Sequence, residues 1–173
     1  MTRAVRRTLD ALYDGAGVLA ALCLILILCV IVLQMAARWT GTPFPGSSEY
    51  AGYLMASASF LAFAHALNRG AHIRVSLLLM VLGERRFWLE LWSLAIATAA
   101  SSYLAWYAVG TVYWSRKLND ISQGQDATPL WIPQLPMAFG AVLLAVCFAD
   151  NLITLIATRR DNIRSGAIGQ AAE

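Results

Sequence analysis

Apolar and polar positions are arranged along this chain in long blocks rather than at short periods. No Asp, Glu, Lys, Arg or His interrupts the run from Val18 to Ala37, and none interrupts that from Leu91 to Val112. Such stretches match the roughly 20 residues a helix needs to cross a hydrocarbon core about 30 Å thick. Four crossings are predicted. The first spans about 15–37, with Gln34 its only strongly polar side chain, and the second about 49–67, bounded by Glu49 and Arg69. The third covers about 88–113, or roughly 39 Å of helix, so it must tilt or extend past the membrane. The fourth runs to about 157 and opens near Pro133 or Pro136, because proline suits a first turn where its missing N–H would have no partner. Between the second and third, residues 73–82 are apolar but too few to span, and read as a short interfacial or re-entrant helix. The expected fold is an all-α integral membrane protein, a single four-helix domain over 1–173.

Composition agrees, with 59% of residues hydrophobic and 13% charged. Soluble domains carry about a quarter charged residues, so a water-soluble enzyme is excluded. The charge pattern sets an orientation. Ten Lys and Arg residues fall in the N-terminal tail, the second loop and the C-terminal tail, against Arg38, Arg116 and Lys117 on the other side. Both termini are therefore expected in the cytoplasm. Aromatic residues repeat the layering: Trp39, Tyr50, Tyr53, Trp106, Tyr107, Tyr113, Trp114 and Trp131 mark the outer boundary, and Trp88 and Trp92 the inner one. The basic start resembles a signal peptide's n-region. Its apolar run is too long, however, and ends in Gln34-Met35-Ala36-Ala37-Arg38 without a small-x-small site, so a retained anchor is expected.

Candidate chemistry is sparse. Cys23, Cys29 and Cys147 lie in apolar runs, and His65 and His72 are too few for a two-haem cytochrome, so no cofactor is expected. Asp150 is the carboxylate inside a crossing, open to two readings: an interfacial or paired group, or a proton site. Glu49 follows Ser47 and Ser48 at a helix start, where a carboxylate complements the dipole; contact with an external partner is the alternative. With Asp120 and Asp126 in the polar stretch 115–136, it makes a candidate periplasmic docking surface. His65 reads as a core histidine before it reads as a ligand. Arg69, His72, Arg74, Arg85 and Arg86 are candidates for cytoplasmic anchoring to lipid headgroups. Small residues recur at fourfold spacing at Ser93, Ala97, Ser101 and Ala105, with Ala95 and Ala99 alongside, and at Ala58 and Ala62. Such stripes suit close helix contact, within the chain or with another subunit.

Two segments carry a family resemblance. One runs from Glu49 through Tyr53-Leu54 to Ala64-His65-Ala66-Leu67-Asn68-Arg69-Gly70-Ala71-His72-Ile73-Arg74-Val75; the other is Pro129-Leu130-Trp131-Ile132-Pro133-Gln134-Leu135-Pro136, followed by Gly140. Their order and spacing resemble the small membrane subunit, DctQ-type, of the tripartite ATP-independent periplasmic (TRAP) transporters. Ser76 stands where members commonly carry Asp. The resemblance implies a non-catalytic subunit of a Na⁺-coupled organic-acid uptake system in the bacterial inner membrane. Its implied partners are a large membrane subunit, which it braces, and a periplasmic substrate-binding protein, with membrane lipid around them and no nucleic acid. A rival from another class is an autonomous homodimeric exporter exchanging protons at Asp150. A membrane oxidoreductase subunit is a third, lacking visible cofactor ligands.

Overall fold

The computed structural model describes residues 3–69 and 86–158, with side chains described for 6–69 and 87–157. Residues 73–82, and with them His72, Arg74 and Arg85, lie outside the described residues, as does the side chain of Arg86. Among the described residues the regular elements are four helices: α1 (Arg3–Thr40), α2 (Ser47–Asn68), α3 (Arg86–Leu118) and α4 (Trp131–Thr158).

Helix α1 runs 38 residues, roughly 57 Å at 1.5 Å per residue, well beyond the predicted first crossing. Its extra turns at the start carry Asp10, Tyr13 and Asp14. Tyr13, Ala16 and Ala20 are buried, and Cys23, Ile27, Val30, Gln34 and Ala37 continue the same stripe half-exposed. Alternating steps of three and four keep one face turned toward a neighbour at a shallow crossing angle. The helix stops where Gly41 turns left-handed (φ 71°), and the Thr42 amide bonds the Ala37 carbonyl at 3.0 Å. That turn satisfies carbonyls the helix leaves open. Helix α3 ends the same way, with Asn119 at φ 52° and the Asp120 amide on Ser115 O at 3.0 Å.

The principal helix contacts run α1 to α2, α2 to α4, and α4 to α3. At one end α1 also reaches α4, where Tyr13, Ala16 and Ala20 meet Leu61, Ala64 and Leu67 of α2 and Leu143 and Cys147 of α4. Helices α2 and α4 approach closely at Gly140. A Cβ placed there would stand 2.5 Å from the Phe60 carbonyl group and 2.9 Å from the Leu61 nitrogen. Only a residue without a side chain fits.

Much of the remaining surface is apolar. Leu22, Leu24, Ile25, Leu26, Leu28, Ile31, Val32 and Leu33 of α1 are all exposed. A helix apolar on nearly every side belongs in lipid or against another chain. Three helices are long and apolar enough to cross a membrane, over Arg6–Thr40, Ser47–Asn68 and Trp131–Ala157. Helix α3 has the length, but Trp, Tyr, Ser and Thr dilute its hydropathy and it is not among them.

Candidate functional site

Polar groups gather at the two ends of the bundle. At the first end, Asp14 on α1 lies between two side chains of α2. The Arg69 guanidinium donates to Asp14 Oδ1 at 3.2 Å, and His65 Nδ1 stands 3.3 Å from the same oxygen without the alignment of a hydrogen bond. One turn earlier, Asn68 Nδ2 donates to Asp10 Oδ1 at 3.3 Å. The arrangement follows from helix geometry, since Asp10 and Asp14 share one face, as do His65, Asn68 and Arg69. Gly17 makes room for it: a Cβ there would fall 2.8 Å from the His65 ring. His65 is thus a partly buried histidine seated against α1.

Asp150 belongs to this same end. It is the twentieth residue of α4, about 30 Å along that helix, and one of its carboxylate oxygens is closed off from solvent without a hydrogen-bond partner. Arg6 and Asp10 of α1 lie within electrostatic range of its carboxylate. Next to it, Asn151 is buried and its amide donates to Cys147 O at 2.8 Å. Sequence reading missed Asp10 and Asp14. The available signal was their four-residue spacing just ahead of the apolar run, which continues the helix upstream.

At the second end, the loop after α3 folds onto the start of α2. It forms a short hairpin: the Ser122 amide bonds Thr128 O at 2.8 Å, and the Leu130 amide bonds Asp120 O at 3.0 Å. Tyr53 of α2 donates from its hydroxyl to Ser122 Oγ at 2.8 Å, and that oxygen accepts the Gly124 amide at 3.1 Å. Glu49 and Asp126, predicted for docking, are both brought here. The Glu49 carboxylate presses on Gly124, where a Cβ would stand 2.7 Å from Oε1. Asp126 abuts Gly46, and both its carboxylate oxygens are closed off from solvent without a hydrogen bond of full geometry. Burial opposes its ionisation, but the nearby hydroxyls of Thr128, Ser122 and Tyr53 outweigh that, and its pKa lies below the usual carboxylate value. Ala127 beside it holds φ 46°, a left-handed conformation costing roughly 1–2 kcal/mol outside glycine. Asp120 is half-exposed. Arg116 on α3 lies 5.8 Å from the Trp131 ring on α4, and Lys117 lies 4.9 Å from the Trp114 ring, so cations and aromatics share this level.

The small-residue stripes have distinct surroundings. Ser101 and Ala105 are buried where α3 meets α4, Ala97 is half-buried and Ser93 is exposed. Ala58 is buried and Ala62 packs on the core. Along most of their length these stripes serve contact within the chain. Another stripe on α3, Trp92, Ala95, Ala99, Ser102 and Trp106, is exposed throughout.

Long apolar helices with charge confined to their ends define an integral membrane component of helical type. Residues 27–158 match the family model for the DctQ component of the tripartite ATP-independent periplasmic transporters, and the chain belongs to that family. Comparison with curated proteins and with solved structures gives no match. The chain is therefore a small component of a TRAP transporter, as the two sequence segments suggested.

Proposed function

We propose that this chain is the small, non-catalytic membrane subunit of a Na⁺-coupled importer of organic acids, bracing a large permease subunit and helping a periplasmic binding protein to dock. It crosses the inner membrane four times, α3 included, with both termini in the cytoplasm. The end holding Asp14, His65 and Arg69 is then cytoplasmic, and Arg69, His72, Arg74, Arg85 and Arg86 anchor it among lipid headgroups. The hairpin carrying Ser122 and Asp126 faces the periplasm.

The observation that carries this reading is the placement of charge. Among the described residues, ionisable groups stand toward helix ends, and the faces between them are apolar. Such a body anchors firmly and slides little. Asp150 lies within electrostatic range of Arg6 and Asp10 toward one end of the bundle, which supports a boundary group over proton exchange within it. For the permease interface, the exposed stripe Trp92, Ala95, Ala99, Ser102 and Trp106 replaces Ser101 and Ala105, which are occupied by α4. Small residues on an outward face permit another helix to approach, whereas the bulky aliphatics of α1 suit lipid.

Reconstitution tests the proposal. The large subunit and binding protein take up an organic acid under a Na⁺ gradient only with this chain present, and this chain alone moves none. Proton-driven movement by the isolated chain would instead establish the exporter. Ala99→Leu with Ser102→Leu reduces co-purification of the large subunit while leaving the isolated chain's thermal midpoint unchanged; undiminished co-purification removes that face from the interface.

A further inference from the structure

We infer that the Leu118 half of α3 carries a site for an anionic phospholipid, with Lys117 holding the phosphate and a notch at Gly110 receiving an acyl chain. Its assignment to the outer leaflet rests on the orientation proposed above; the binding itself does not.

Two rows of side chains run along this face of α3. Residues 106, 110, 113 and 117 follow one another in steps of four, three and four, and residues 107, 110, 114 and 117 in steps of three, four and three. Such steps keep side chains on one side of a helix, and both rows pass through Gly110 and Lys117. Trp106, Tyr107, Tyr113 and Trp114 are each more than half exposed. Gly110 lies between them inside the helix, where glycine is less stable than alanine. Packing within the chain does not account for it, since a Cβ there would meet no neighbouring atom within 4 Å. The glycine leaves a notch with Trp106 and Tyr107 on one side and Tyr113 and Trp114 on the other.

Lys117 stands over the upper end of this face. Its ammonium folds back along the helix, 4.9 Å from the Trp114 ring and 5.9 Å from the Tyr113 ring, and those two rings meet edge to face at 5.6 Å. Among the described residues it forms no ion pair. A cation held on aromatic faces, at the depth such rings favour in a bilayer, is placed to meet a lipid phosphate. Arg116 is engaged elsewhere, 5.8 Å from the Trp131 ring of α4.

From Trp106 to Lys117 the helix rises about 17 Å, close to half of a hydrocarbon core about 30 Å thick. A phospholipid fits that span, with its phosphate on Lys117, its glycerol region against Tyr113 and Trp114, and a chain in the notch. An acidic protein surface would match the charge but not a notch opening within the apolar stretch. A net negative headgroup is favoured over a zwitterionic one, whose own cation offsets its phosphate. The site begins where the stripe proposed for the large subunit ends, at Trp106.

The test is native mass spectrometry of the full chain in mild detergent, titrated with phosphatidylglycerol or phosphatidylcholine of equal acyl chains. The wild type holds its first phosphatidylglycerol about tenfold more tightly than its first phosphatidylcholine. Lys117→Gln weakens that first phosphatidylglycerol by about tenfold, and Arg116→Gln weakens it less. Gly110→Leu fills the notch and weakens both lipids, without lowering the thermal midpoint, because nothing in the chain meets the new side chain. Unchanged affinity in Lys117→Gln or in Gly110→Leu, or a larger loss in Arg116→Gln, overturns the inference. So does a Lys117→Gln chain that keeps its lipid but loses docking of the cognate binding protein, for the lysine then belongs to a protein interface. The titration uses neither a bilayer nor the large subunit, so the proposed topology and bracing role can fail while the lipid site stands.

Discussion

Single residues at the Asp14 end differ widely in what their loss costs. The Asp14–Arg69 pair is more than half exposed on both sides, and exposed pairs contribute about 0–1 kcal/mol. Asp14→Asn therefore lowers thermal stability by no more than about 1 kcal/mol. Gly17→Ala acts differently, because the new methyl meets the fixed part of the His65 ring and not a mobile tip. It costs about 1–3 kcal/mol through overpacking. Unfolding of both variants in mild detergent checks the order, and a larger loss for Asp14→Asn would reverse the account. The histidine was legible in the sequence as a packed side chain. Its partner was not, because Asp14 lies before the apolar run and the reading stopped at the run's edge.

Among the elements, helix existence was legible because lipid-length apolar blocks announce themselves. Boundaries were less so. Helix α4 starts at Trp131, ahead of both prolines. Pro133 occupies the first turn, where no amide bond is lost, while Pro136 lies inside the helix. The same shift makes Asp150 the twentieth residue of the helix. Packing partners were illegible: spacing identifies a face of small residues but not what covers it, and Ser101 and Ala105 prove to be covered by α4. Ser101→Leu should therefore destabilise the isolated chain, by about 1–3 kcal/mol. Gly140→Ala is the more severe change, since backbone of α2 stands 2.5 Å from the added carbon and helices must part to admit it. A lower thermal midpoint for Gly140→Ala than for Ser101→Leu checks the ranking.

For the whole molecule, the family and the all-helical class were readable from two segments and the hydropathy blocks. Glu49 and Asp126 come together at one end of the fold, yet the carboxylate oxygens of Asp126 are closed off from solvent, and burial by a returning loop leaves no trace in local sequence. An apolar permease interface has a measurable signature. Co-purification with the large subunit should persist as ionic strength rises, since salt screens exposed charges and leaves helix packing intact. Dissociation of the pair on raising salt alone would point to the charged ends instead.

The contact at Gly140 has a consequence for biogenesis. Pairs α1–α2 and α3–α4 are each neighbours along the chain, whereas Phe60 and Gly140 meet across some 80 residues. Ribosomal synthesis delivers the first hairpin before the second exists, and near contacts close ahead of remote ones. Gly140→Ala should therefore hinder the docking of the two hairpins onto each other more than the formation of either.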